Sequence, residues 1–572
     1  MKPTICTTLA AVAASTILAH AAPGDLNPAF DLDGKVTTSF SGDGDVATAV
    51  ITVGGKLIVA GVSGFVDEQV FGLARYNADG SPDNTFGNSG RMTTDFPGKF
   101  AAARSVAFRP ADPAVRDPDM IIVAGDASIG TNADFAIARY RTNGVLLTGG
   151  TTTTDFGGND RAGAMVTQSI PNTSSFKILL AGSTDVNFNL RGDDFALARY
   201  TASGALDTTF DFDGKVVTDI SSANDACLAI ALQADGRIVA GGFGGGSGIA
   251  ARFVLCRYNS DGSLDDTFGT LGKVVVNFPG VTNSGCRSIA LLPGGKILAV
   301  GDNDDLTISS LLAQLNPDGS LDTSFGSGGT VVTSASTAAL DVVHAVAVQG
   351  DGKILLAGRT LEGASTTNFA VVRYSANGKL DKGFGVGGRA TVDFGTGFGE
   401  AFGLLVRGDG TIVAVGYDGF DPGNFALASF KTAQGDARVN LSGEIPRGDD
   451  RYNTTGAGQT QSAAIPRDGG VKNVLIGIQN DTAAIDSFTV RGTPGNSRFK
   501  VKYLHGSDNV TAQMLNGTLT TGPLAPGAIY QLKARITAAT SVKGKTRDFS
   551  ITPTSAADPT AKDRVLIKAR SK

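Results

Sequence analysis

Two residue types recur at a spacing that could do chemistry. Arg75, Arg139, Arg199, Arg257 and Arg373 occupy one position of a repeating pattern, and Asp83, Asp207, Asp265, Asp322 and Asp381 occupy another. In the copies that carry both, the Asp follows the Arg by 8 residues. A guanidinium and a carboxylate at such an interval could form a bidentate, charge-assisted pair. Alternatively, a ring of Arg could bind an anion. A position filled alike in most copies reads as scaffold, so an Arg–Asp clasp is expected. Acidic turns form a second constellation: Asp31-Leu32-Asp33-Gly34, Asp211-Phe212-Asp213-Gly214, and Asn259-Ser260-Asp261-Gly262 with Asp265. Clustered oxygens in such turns suit calcium, but the complete calcium-loop pattern is missing. Asp, Asn and Gly also build turns unaided. No cofactor is expected, and calcium is the one candidate metal.

The search for catalytic residues finds no site. The chain has 3 His, and only His344 and His505 lie beyond the N-terminal segment, too far apart in sequence to mark a zinc cluster. The stretch GGFGGGSG at 241–248 lacks the Lys-Ser/Thr of a phosphate loop and reads as a flexible connection. Trp is absent, which excludes the Trp-ending boxes of propeller sialidases and the Trp-docking motifs of quinoprotein propellers. Sequence alone leaves open a carboxylate pair of the glycosidase kind.

The elements that must position these residues are short strands. The pattern FALARY from Phe195 recurs as FGLARY, FAIARY, FVLCRY, FAVVRY and FALASF, with SLLAQL as a diverged copy. A second segment, as in KLIVAG, ends in Gly at 61, 125, 182, 242, 301, 358 and 416. A third, Leu-Asp-x-Thr/Ser-Phe-Gly, recurs at Phe86, Phe210, Phe268, Phe325 and Phe384, is headed by Phe30, and is eroded near Gly149. Each unit reads as four strands, with Asp-Gly hairpins such as Asp235-Gly236 supplying positive φ. Seven units of four strands predict an all-β chain led by a seven-bladed β-propeller. An open β-solenoid is the alternative. Pairing of KVTTSF at 35–40 beside FALASF would close the ring and protect its edges.

These motifs resemble the delta-60 repeat family of bacterial, largely exported proteins, over residues 24–435. The resemblance implies a propeller and carries no assigned activity. Residues 1–21 read as a secretory signal peptide: a positive Lys2, an apolar run and Ala19-His20-Ala21. No transmembrane span is expected, and a secreted or cell-surface location is. Cys227, Cys256 and Cys286 read as three buried small hydrophobes, although Cys227 and Cys286 sit at matching repeat positions where one disulfide is conceivable.

The reading divides the chain into the propeller at 22–437 and a tail at 438–572. Strands are expected at 471–481, 486–492, 498–504, 529–536 and 563–570, spaced as in an immunoglobulin-like sandwich. The stretches YNTTGAGQT, KYLHGSDNVT and SAADPTAKD resemble a bacterial surface-protein accessory domain of the Ig-like class. The tail holds 19 Lys+Arg against 10 Asp+Glu, and residues 22–437 hold 29 against 44. Dispersed basic residues argue against nucleic acid, and a basic tail suits an anionic surface such as envelope polymers. The expected function is an exported, non-enzymatic binding protein with an unknown extracellular ligand. Its loops near 108–119 and 184–193 are the expected contact sites. The alternatives are a polysaccharide hydrolase or lyase with its site in the channel, and a structural surface-layer protein.

Overall fold

A computed structural model describes residues 23–572 apart from 41–43, 65–67, 99, 111–118, 171–175, 187–191, 222–223, 246–249, 304–308, 335–339, 363–365, 409, 420–422, 432–434, 442–459, 467–469, 481–485, 526–527, 540–542 and 557–563. Residues 1–21, read above as a signal peptide, and the centres of both long loops lie outside the described residues.

The FALARY strand explains the architecture. In Asp194–Thr201, Phe195 and Leu197 enter one apolar cluster with Ile238, Ala240 and Val254 of the following unit. Ala196, Ala198 and Tyr200 point the other way, into a cluster with Ile122, Ala124 and Ile137 of the preceding unit. Side chains alternate along a strand, so a strand with apolar residues on both faces must be covered on both. The units therefore stack sheet against sheet, each buried by two neighbours.

Seven four-stranded antiparallel sheets result. The third, for example, orders Asp160–Ser169, Phe176–Thr184, Asp194–Thr201 and Lys215–Thr218. First strands of successive sheets touch in turn, and Gly399–Val406 of the seventh returns to Val46–Val53 of the first. The seventh sheet takes its fourth strand from the N-terminal segment: Lys35–Thr38 pairs with Ala428–Phe425. This is the pairing that the sequence predicts for a closed ring. Phe30 and Val36 then join Leu57, Val59, Val413 and Leu427 in one apolar cluster. Tyr hydroxyls latch neighbouring sheets: Tyr76, Tyr140, Tyr200, Tyr258 and Tyr374 each donate to a Thr of the preceding fourth strand, at 2.8–3.0 Å.

Two five-stranded sheets follow. One holds Gly435–Leu441, Val471–Asn480, Ile529–Ala538, Phe499–His505 and Asp508–Asn509. The other holds Thr460–Ile465, Val565–Ser571, Thr546–Ser555, Phe488–Gly492 and Leu519–Thr520. They share a core of Val474, Ile476, Phe488, Phe549 and Ile567. The first of these strands begins at Gly435, so a division after residue 437 cuts through it. Among the described residues, no helix is long and apolar enough to cross a membrane.

Candidate binding site in the channel

The Arg and Asp positions meet at the far end of the third strand. Arg75 Nε donates to Asp83 Oδ2 at 2.6 Å, and Arg199–Asp207, Arg257–Asp265 and Arg373–Asp381 repeat this at 2.7 Å. Each of these guanidinium groups also lies 4.5–4.9 Å above a Phe ring: Phe86, Phe210, Phe268 or Phe384. In three of these Arg a further guanidinium nitrogen ties the sheet to the next, and another donates to a Thr hydroxyl of the same unit. Arg75, Arg199 and Arg257 donate to the carbonyls of Thr142, Ser260 and Pro317 in the following unit. The fifth copy replaces Arg by Gln314, which donates to Asp322 at 2.7 Å, with Phe325 buried beneath. Arg139 has no Asp eight residues on, and its guanidinium donates to the carbonyls of Ala202 and Gly149 instead. All five Arg and all five Asp thus make hydrogen bonds within their unit or to the next. Burial pushes Asp207 up, but Lys177, Thr209 and Arg199 outweigh it and hold the carboxyl down to about 2.

The acidic turns use their oxygens locally. Asp33 and Asp213 each accept the backbone N–H two residues on, and Asp261 accepts both the N–H and the hydroxyl of Ser263. The three cysteines are free thiols, all buried. Burial raises each thiol, Cys256 to about 12, so none is an activated nucleophile.

A different set of residues faces the channel. Every first strand carries a β-bulge at the same place, and the extra residue is Thr48, Arg104, Gly163, Leu228, Arg287, His344 or Phe402. All seven line one cavity of about 720 Å³, bounded by the first strands of all seven sheets. The recurring Gly of the second strand makes the bulge possible. A Cβ on Gly61, Gly125, Gly182, Gly242, Gly301, Gly358 or Gly416 would overlap the carbonyl oxygen of a residue just before the bulge on the neighbouring strand. Glycine in a strand interior often marks such a close approach, so the recurring Gly is the signal in the sequence through which the channel residues could have been found.

Charge in the channel is mixed and paired. Arg104 Nε lies 3.3 Å from Asp126, and Arg287 Nε 3.2 Å from Asp302. His344 Nε2 sits 2.7 Å from Glu400, whose other oxygen lies 3.1 Å from Arg359 Nη1. Burial pushes Glu400 up, but His344 and Arg359 hold it below the usual range. The His344 ring packs at 4.4 Å on Phe402. The arrangement offers two partly exposed guanidinium groups, an imidazole and an aromatic face around a common space.

Six segments of the chain, 55–86, 119–146, 177–210, 233–268, 293–325 and 349–384, match the family described as a domain of unknown function (DUF5122) beta-propeller. The chain is thus an all-β protein built on propeller-family repeats. The seventh unit, whose Leu-x-x-x-Phe element comes from Leu26–Phe30 at the other end of the chain, falls outside these segments. No curated protein matches significantly. Among solved structures, a protein of unknown function from Dyadobacter fermentans is 11% identical at TM-score 0.37, covering 70% of this chain and 99% of its own. Sqt1 from Chaetomium thermophilum is 11% identical at TM-score 0.33, covering 68% and 96%. Semaphorin 2a from Drosophila is 8% identical at TM-score 0.36, covering 94% and 97%. Likeness at this level carries nothing about activity.

Proposed function

We propose that the chain is an exported, non-enzymatic binding protein, a seven-bladed propeller followed by an Ig-like sandwich, that recognises an anionic extracellular ligand at its channel. One observation carries this reading: seven backbone-equivalent bulges present six different residue types to one space, while the surrounding frame repeats. Packing explains a repeated residue; a site explains divergence confined to one ring. Arg104 and Arg287, whose side chains are 43% and 30% exposed, supply the charge for a carboxylate or phosphate. Pairing of Asp126, Asp302 and Glu400 with cations supports binding over acid–base hydrolysis.

The test is co-sedimentation of the full mature chain with isolated bacterial envelope, and titration with soluble acidic polysaccharide released from it. Arg104→Ala with Arg287→Ala should abolish salt-sensitive binding; because it also bares the buried Asp126 and Asp302, circular dichroism must show the variant folded at the assay temperature. Unaltered binding by this double variant would sink the channel as the site. Cleavage of the polysaccharide would move the protein to the hydrolase reading.

A further inference from the structure

Two junctions between sheets gather three carboxylates each: Asp134, Asp155 and Asp160, and Asp194, Asp219 and Asp225. They occupy equivalent repeat positions, namely the residue before the third-strand Phe, the residue before the Phe or Ile of the link, and the residue opening the next sheet. In each group, one oxygen per residue lies within 4.8 Å of the others. At the next junction the same positions hold Arg252, Asn277 and Ser284, so the acidic triad is not a requirement of the fold.

The two triads differ in how they are satisfied. Asp225 accepts the backbone N–H groups of Ile220, Ser221 and Gly245 and the Ser221 hydroxyl, which uses both its oxygens. Asp160 is fully buried, and its Oδ2 accepts the Phe156 N–H at 2.6 Å. Its Oδ1 has no hydrogen-bond partner, nor has the buried Thr184 hydroxyl on the paired residue beside it. Asp45, at the same repeat position, also leaves Oδ1 unpartnered, so that oxygen alone does not make a site. Asp134 decides the matter. It is 7% exposed, and its carboxylate makes no hydrogen bond or ion pair among the described residues. Lys215 reaches Asp155 only at its carbonyl, 3.2 Å away. Three carboxylates this close, two of them buried, repel strongly in a medium of low polarity. An oxygen-ligated cation would relieve that repulsion.

We propose that Asp134, Asp155 and Asp160 hold a Ca²⁺ ion that ties the second sheet to the third. A Ca²⁺ shell with ligands at about 2.3–2.6 Å spans the separation of the three oxygens. The exposed side at Asp155 leaves room for water to complete the shell. The proposal stands apart from the channel reading, since none of the three residues lines that cavity.

Calorimetric titration of the full mature chain, freed of metal with EDTA, should show a CaCl₂ site and a rise in melting temperature with Ca²⁺. Asp134→Asn removes a carboxylate with no bonding role in the fold, so the variant should fold. It should bind Ca²⁺ at least about tenfold more weakly, since even outer-sphere partners cost that much. Asp194→Asn, in the satisfied triad, should bind as the parent does. The proposal falls if the parent shows neither heat nor a melting shift at millimolar CaCl₂. It also falls if Asp134→Asn binds like the parent, or if Asp194→Asn loses binding as well.

Discussion

The two ends of one repeat unit behave in opposite ways. At the Arg–Asp clasp, side chains and bonds repeat together: Arg199 with Asp207 and Phe210 is superimposable in kind on Arg257 with Asp265 and Phe268. At the bulge, the backbone repeats and the side chain does not, running from Gly163 to Arg287. The clasp is buried, so any change leaves a charge or an N–H without a partner. The bulge residue faces a cavity, where change costs little. The unit thus fixes what holds sheets together and frees what they present. The seventh sheet sharpens the point. There Ser429 and Asn27 stand at the Arg and Asp positions, and the Asn27 N–H still donates to the Ser429 carbonyl at 2.8 Å, as Asp207 does to Arg199. Register survives removal of the charge when both partners go together.

Several changes would break or refine this contrast. Deleting residues 23–38 should have the largest effect. It removes the fourth strand of the seventh sheet together with Phe30 and Val36, each worth about 1.5–3 kcal/mol of burial. Scanning calorimetry and size-exclusion chromatography should show loss of the cooperative transition and association through the bared strand edge. Asp207→Asn comes next, because it strands the buried Arg199. It should cost about 3–5 kcal/mol in denaturant unfolding. Arg199→Ser combined with Asp207→Asn, copying the seventh sheet, should recover most of that loss. A double variant as unstable as the single one would refute the account of the clasp.

Gly242→Ala should destabilise by about 1–3 kcal/mol, since its Cβ would overlap the Ala226 carbonyl and flatten the bulge at Leu228. Acid should act on the clasp. The folded-state value of Asp207, about 2, lies below its ordinary 3.8. Its contribution is therefore fully present above pH 4 and is lost as pH falls toward 2, by roughly 2 kcal/mol. Unfolding followed between pH 5 and 2 should show a shallower fall for Asp207→Asn than for the parent. The smallest effect on stability belongs to Arg287→Lys at the bulge, which keeps a cation beside Asp302 and is expected within about 0.5 kcal/mol of the parent.

Much of the frame was legible in the residues. FALARY announced strands, Asp235-Gly236 announced a hairpin, and Gly236 has φ 87° there. The eight-residue interval from Arg199 to Asp207 stood in the sequence, but the Ser260 carbonyl that completes the guanidinium's bonds belongs to the next unit. Thr460–Ile465 and Thr546–Ser555 are strands that no motif in the sequence marks. The recurring Gly at 61 through 416 was visible as the end of a motif, yet its cause, a carbonyl from the adjacent strand, was not.

By itself, the sequence determined the period, the four strands in each unit and the apolar faces that force sheet to pack on sheet, because these follow from side-chain alternation and turn chemistry within a few residues. Only the tertiary structure decided which side chains enter the channel. A bulge shifts register by one residue and so changes the face that each neighbour occupies. It also decided that Asp134, Asp155 and Asp160 converge, since that distance is not written in local pattern.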